Sequence, residues 1–159
     1  MAYLLDSNVF IEARNRHYGM DFCPAFWDWL AVQNAAGMVF SIEKVGDELL
    51  DDDLATWATA RGNSFFLVPD PKMIGSLAVV SEWVKNRNYR PEAVSYFLGD
   101  TDFYLIAYAH AHGHVVVTHE VPSEGVKKVK IPDVCIVVKT KCVTPFEMLR
   151  REKARFVLG

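Results

Sequence analysis

Thr101–Thr118 reads TDFYLIAYAHAHGHVVVT. Thr101–His112 has the composition and length of a helix, and Gly113 stops it, as glycine commonly does just past a helix C-terminus. His114–Thr118 then runs H-V-V-V-T, an unbroken β-branched stretch of the kind buried on both faces of a parallel sheet. A helix feeding such a strand is one half of a βαβ unit.

The same alternation extends in both directions. Ala2–Asp6 is short, apolar and ends in an acid, as a buried strand does; Asn8–Arg16 follows as a helix. Phe22–Ala36 places Phe22, Phe26, Trp29 and Leu30 at helical spacing, leaving Trp27 off that face, and Gly37 closes it. Met38–Ser41 is a second strand, Ile42–Leu50 and Asp53–Ala60 are helices, and Ser64–Val68 is a third strand ended by Pro69 and Pro71. Met73–Lys85 and Glu92–Leu98 are helical, the latter with Pro91 in its first turn. Val134–Val138 is expected as a fifth strand, and Thr144–Phe156 as a closing helix with Thr144 as N-cap and Pro145 at N1. Strands separated by helices imply right-handed crossovers. The fold class expected is α/β: a three-layer α/β/α sandwich on a mainly parallel sheet of four to five strands.

Composition narrows the function classes. The 159 residues are 51% hydrophobic and 23% charged, which excludes disorder and fits one domain over residues 1–159. No apolar run is long enough to span a bilayer, and Asp6 interrupts the apolar start, so no membrane association and no signal peptide are expected. Cys23, Cys135 and Cys142 are too few and too scattered for a disulfide framework or a C-x-x-C zinc site, pointing to a reduced, cytoplasmic protein. The net charge of −3 excludes nucleic-acid binding by bulk charge, so such binding must be local or metal-mediated.

Chemistry in an open parallel sheet sits at the carboxyl ends of its strands. Those ends carry Asp6, Ser7 and Asn8; Ser41 with Glu43, Asp47 and Glu48 on the next helix; Thr118, His119 and Glu120; and Asp100-Thr101-Asp102 at the start of the helix feeding the last of these strands. Each acid also has a plain structural reading. Asp6 suits an N-cap, though a carboxylate directly after an apolar strand is costly to bury. Asp100 is read as an N-cap rather than a ligand, and Asp102 suits a first helical turn, where the dipole favours an acid. Glu48 lies in the acidic run Glu43–Asp53, mostly a solvated face, but it falls about two helical turns past Ser41, on the face of Val45. Glu120 alone would be a loop acid. Together, Asp6, Glu48, Asp102 and Glu120 converge on one cleft, where like charges either raise each other's pKa or take a cation. Oxygen donors without a Cys or His cluster select Mg²⁺ or Mn²⁺, and such a site suits phosphodiester hydrolysis.

Other polar residues carry weaker signals. His110 and His114 straddle Gly113 and cannot share a helix face, which excludes a zinc pair there. His119 flanks the acids and is read as a loop residue within reach of phosphate. Lys127, Lys128 and Lys130, with Arg150, Arg151, Lys153 and Arg155, are either a solubilising surface or a track for a nucleic-acid backbone. Trp57 and Trp83, like Trp27, are assigned to the core.

Four motifs in order resemble the PIN-domain ribonucleases. They are Tyr3-Leu4-Leu5-Asp6-Ser7-Asn8, then Ser41 through Glu48-Leu49, then Asp102 ahead of the Ile106-Ala107 helix and His112-Gly113, and Val115-Val116-Val117-Thr118-His119-Glu120. The tail Ile131-Pro132-Asp133-Val134-Cys135, with Thr144-Pro145-Phe146-Glu147-Met148-Leu149, is similar to a little-characterised PIN-like subfamily of bacteria and archaea. The resemblance implies a metal-dependent endoribonuclease with Asp6, Glu48, Asp102 and Glu120 as metal ligands and catalytic acids. Ser7, Asn8, Ser41, Asp100 and Thr118 would support them. It also implies an RNA substrate, a VapC-like toxin role silenced by a cognate antitoxin, and a homodimer. Two departures stand out: Glu120 takes the place of the family's fourth Asp, and Asp51–Gly99 is longer than in compact toxins. A structure-specific DNA nuclease, or an inactive PIN scaffold acting as a binding module, are the alternative functions.

Overall fold

The sheet of the computed structural model, which describes residues 1–158, is built around its first strand. β1 (Tyr3–Leu5), β2 (Val39–Ile42), β3 (Phe66–Leu67), β4 (Val115–Val117) and β5 (Cys142–Val143) are all parallel, in the order β3-β2-β1-β4-β5. Leu4 pairs with Phe40 on one side and Val116 on the other. Every residue of β1 and β4 is buried, as expected of strands covered on both faces. Full burial of a Val or Leu side chain is worth about 1.5–3 kcal/mol, which makes this pair of strands the hydrophobic centre of the molecule.

The covering helices are α1 (Ser7–Glu12), α2 (Pro24–Ala35), α3 (Glu43–Asp47), α4 (Asp52–Arg61), α5 (Pro71–Lys85), α6 (Pro91–Leu98), α7 (Thr101–His112), α8 (Ile131–Val137) and α9 (Pro145–Arg151). α1 runs directly into a π-helical turn, Ala13–His17. α7 buries Leu105, Ile106, Ala107 and Ala109 completely and ends on Gly113, whose φ of 68° is the left-handed conformation that a glycine supplies without strain. Asp70 caps α5 by accepting from the Met73 N–H at 2.8 Å, and its other oxygen lies 2.7 Å from His112 Nε2 at the far end of α7. Thr144 and Glu147 form a reciprocal capping box on α9.

Three expectations are corrected. The fifth strand is not Val134–Val138 but Cys142–Val143. Ile131–Val137 is a helix, and burial at 131, 134, 135 and 138 follows a helical period while Ile136 is 69% exposed. Pro132, in the first turn, fits a helix start and not an inner strand. The helix expected over Ile42–Leu50 spans only Glu43–Asp47, with Glu48 as its C-cap residue. Gly46 within it lies against the Phe66 ring, which stands 3.1 Å from where a Cβ would be. The helix expected from Phe22 begins at Pro24, so Phe22 stays outside it and exposed, and Trp27 turns inward instead. Trp27 takes part in an aromatic cluster with Phe26 and Trp57 and donates its indole N–H to the Tyr18 carbonyl at 2.7 Å.

The sheet order reverses direction between β1 and β4. The crevice outside the carboxyl ends of these two strands is the topological switch point, where ligands of open α/β sheets bind.

Candidate metal centre at the switch point

Asp6 is the residue directly after β1, and it is 3% exposed. Its position is fixed from both sides. The backbone N–H of Asp6 donates to the Val117 carbonyl at 2.9 Å, Oδ1 accepts from the Ser7 N–H at 2.8 Å, and Oδ2 accepts from the Thr118 hydroxyl at 2.8 Å. Asp6 is therefore the N-cap of α1 and also a buried acid at the crevice floor.

Thr118 is the hub of this floor. While its hydroxyl donates to Asp6, the oxygen accepts from Asn8 Nδ2 at 3.2 Å and from the Glu120 N–H at 3.1 Å. Asn8 Oδ1 in turn accepts from the His119 N–H at 3.2 Å. Ser41, fully buried, donates to the Leu5 carbonyl and holds the end of β2 to the end of β1. Ser7, Asn8, Ser41 and Thr118 thus shape the backbone around Asp6.

The remaining acids enter from separate elements. Asp102 lies in the first turn of α7. Asp100 is the N-cap residue of that helix, though its side chain makes no capping bond. Glu48 reaches in from the turn after α3, where the Thr101 side chain acts to lower its carboxyl against the rise from burial. Glu120 is held by α8, with Oε2 accepting from the Ile131 N–H at 3.0 Å and Lys128 Nζ 3.8 Å from Oε1.

The charges of these groups act on one another. Burial pushes the Asp6 carboxyl up to about 6, against the lowering effect of its Thr118 and Ser7 hydrogen bonds, and the charges of Glu120 and Glu48 raise it further. Burial pushes Asp102 up to about 8, and Asp6, Asp100, Glu120 and Glu48 all add to the rise. Glu48 is raised by its own burial and by Asp100, with Thr101 opposing. The structure therefore brings all four sequence-predicted acids into one field, with Asp100 as a fifth.

An all-oxygen donor set under mutual repulsion has the chemistry that a hard divalent ion satisfies. The donors are not drawn together around one point, however. Among the described residues, no three His, Cys, Asp or Glu side chains stand grouped closely enough to hold an ion. Asp6 is engaged by Thr118, and Glu120 by Ile131 and Lys128. Asp6 and Asp102 would form the inner pair, and Glu120 would have to leave its present partners to join them.

Four contributors escaped the sequence reading. Thr101 sits between two conspicuous acids, and nothing in its own type marks it. The Ile131 N–H is a backbone donor, legible only once 131–137 is known to be a helix. His17 and Phe146 join His119 beside the crevice, with centroids 5.7 Å apart between the two histidines and 5.3 Å between His17 and Phe146. They come from the π-helical turn, the end of β4 and α9, so no local pattern joins them.

A family model described as "Domain of unknown function (DUF4411)" matches residues 3–156. No curated protein matches the sequence. Among solved structures, the chain is similar to one in the crystal structure of VapBC2 from Rickettsia felis bound to a DNA fragment from their promoter. The TM-score is 0.57 at 13% identity, covering 91% of this chain and 98% of that one. That likeness, with the five parallel strands flanked by helices, makes the fold PIN-like. No helix among the described residues is long and apolar enough to cross a membrane.

Proposed function

The chain belongs to the DUF4411 family, and from the acids at its switch point we propose that it is a Mg²⁺- or Mn²⁺-dependent endoribonuclease. The observation that carries this reading is that two buried acids, Asp6 and Asp102, are both held above the ordinary carboxylate range at the carboxyl-end edge of a PIN-like sheet, with neighbouring acids adding to the effect of burial. Perturbed acids gathered in a crevice, where the fold places ligands, mark a functional site more often than a structural one.

In this reading Asp6 and Asp102 hold the ion, and Glu48 and Glu120 complete its surroundings. The ion would polarise a phosphate oxygen and lower the pKa of its bound water. The chain's own residues do the positioning. Thr118 and Ser7 fix both oxygens of Asp6, so its carboxylate does not reorganise between turnovers. Thr101 favours the charged form of Glu48. With its carboxyl at about 8, Asp102 keeps its proton at neutral pH unless a cation displaces it, which couples ion binding to proton release. Lys127, Lys128 and Lys130 precede α8 beside Glu120, where they would meet the substrate backbone.

The same proposal includes a cytoplasmic toxin role with a cognate antitoxin and a homodimeric state. The likeness to a chain of the VapBC2 complex supports it. The test is cleavage of single-stranded RNA and of branched DNA by wild type and Asp6→Asn, with Mn²⁺ and with EDTA. Metal-dependent RNA cleavage lost in Asp6→Asn is the expected result. Cleavage of the DNA alone would turn the assignment to a DNA nuclease, and cleavage of neither would leave a binding scaffold.

A further inference from the structure

Beside the acids, three rings from three separate elements close on one another. His17 ends the π-helical turn after α1, His119 follows Thr118 at the end of β4, and Phe146 stands in the first turn of α9. The two imidazoles lie 5.7 Å apart at an interplanar angle of 31°. Phe146 meets both edge to face, 5.3 Å from His17 and 5.7 Å from His119. Phe146 and His119 are half-buried, while His17 is exposed. The cluster is tied to the crevice floor. The His119 N–H donates to Asn8 Oδ1 at 3.2 Å, and Asn8 Nδ2 donates to the Thr118 hydroxyl oxygen that holds Asp6.

Presenting His17 there takes an unusual piece of backbone. The turn Ala13–His17 is closed by the Tyr18 N–H, which donates to the Ala13 carbonyl at 2.7 Å, five residues back. Single π-helical turns are rare and are frequent at functional sites. The turn is anchored by Tyr18, whose ring stacks on Phe26 at 4.5 Å and meets Phe156 edge to face at 5.6 Å. His17 is thus footed on the aromatic core through its neighbour, braced by Phe146 and His119, and still open to solvent.

Building on the ribonuclease reading above, we propose that His17, backed by His119 and Phe146, is the stacking platform for one base of a single-stranded RNA drawn across the acidic crevice. A net charge of −3 and a crevice of acids give a phosphate backbone little attraction, so much of the grip has to come from groups indifferent to that charge. Every base has a π-face, and stacking on an aromatic ring holds it whatever its identity. Only an unpaired strand frees a base to lie on such a ring, which selects single strands over duplexes. His119 is bonded to the same residues that fix Asp6, so the stacked base lies at a set offset from the bond that is cleaved.

Abasic scanning tests the platform on the full chain. Wild type with Mn²⁺ is given a set of single-stranded RNAs that share one cleavage site, each lacking the base at one successive position. kcat/KM is expected to fall about tenfold at one position near the cut and little elsewhere. His17→Ala should already be about tenfold slower on intact RNA and lose nothing more at that position, because ring and base act as one pair. His17→Phe should restore the sensitivity, whereas His17→Lys, which keeps a cation but no ring, should not. A readout without turnover uses Asp6→Asn, which is expected to leave RNA intact. A fluorescent purine analogue at the sensitive position should be quenched by saturating Asp6→Asn protein, and not once His17→Ala is added. Abasic losses spread evenly along the strand, losses that add to that of His17→Ala, or rescue by His17→Lys would overturn the platform and leave the ribonuclease reading standing. RNA left intact by wild type would overturn both. The wild-type scan decides the matter even if a variant does not fold.

Discussion

Thr118 reaches across 112 positions of sequence to donate its hydroxyl to Asp6 at 2.8 Å, in a site where the same oxygen also accepts from Asn8 and Glu120. One side chain thereby ties the ends of the two central strands to the acid between them. In Thr118→Val the shape is kept and the polar atom is lost. Asp6 would lose a bond that opposes its rise, and the Asn8 amide and Glu120 N–H would lose their acceptor. A destabilisation of about 1–3 kcal/mol is expected by urea denaturation, since buried polar groups are left unpaired. Thr118→Ser should recover most of it.

Metal-free stability should fall as pH rises. Asp102 and Asp6 have folded-state values of about 8 and about 6, above the ordinary carboxylate value of 3.8, so the folded chain binds more protons than the unfolded one between these limits. Their contribution is therefore fully present below pH ~4 and is lost progressively up to pH ~8. Melting temperatures in EDTA are expected to drop between pH 5 and pH 8, less steeply in Asp102→Asn. A flat profile in the wild type would remove the basis for treating these acids as one interacting group.

Divalent ion should reverse that penalty. At about 100 times Kd, an ion that binds only the folded state adds about 2.7 kcal/mol. Thermal melts with saturating Mn²⁺ should lie above those in EDTA at pH 7.5. Asp6→Asn in EDTA should be no less stable than wild type, because removing one of several repelling charges compensates for the weakened hydrogen bonds. It should show neither the Mn²⁺ increment nor cleavage. A metal-free Asp6→Asn protein markedly less stable than wild type would make Asp6 a structural cap above all.

Glu120 and Asp102 should respond differently to excess metal. Glu120 is already engaged by the Ile131 N–H and by Lys128, and Gln can still accept from Ile131. Glu120→Gln is expected to lose cleavage at low Mn²⁺ and to regain part of it at high Mn²⁺ by mass action. Asp102→Asn should not be rescued. Metal-titrated cleavage of one RNA by both variants measures the difference, and a Glu120→Gln protein identical to wild type throughout would make Glu120 an ordinary loop acid.

The parts of the fold legible in sequence were those where one period held over a whole element. The three valines of β4 and the helix before them are placed as read, and Gly113 ends that helix. The apolar run Ile131–Val138 was misassigned because a short apolar segment fits either period. Its helical reading rests on Pro132 and on Ile136 facing solvent, and the second of these is a tertiary fact. Asp6, Asp102 and Glu120 were legible because each sits just past a strand or at the start of a helix. How they are held was not, since the Ile131 N–H and the Thr118 hub act through contacts between distant segments. Glu48 shows both sides: its place at this sheet edge could be inferred, whereas the early end of α3 that puts it on a C-cap turn could not.

The outermost strands, β3 and β5, are two residues long each, and this brevity guards the molecule against itself. A parallel sheet with bare flanks offers rows of unpaired N–H and C=O groups to any neighbouring chain, and long flat flanks seed self-templated aggregation. Here each flank presents one or two such groups before the chain bends away into α5 or α9. A substitution that extended either border, such as a β-branched residue in place of Pro69 or Pro145, would lengthen the exposed template and cost solubility before it cost stability.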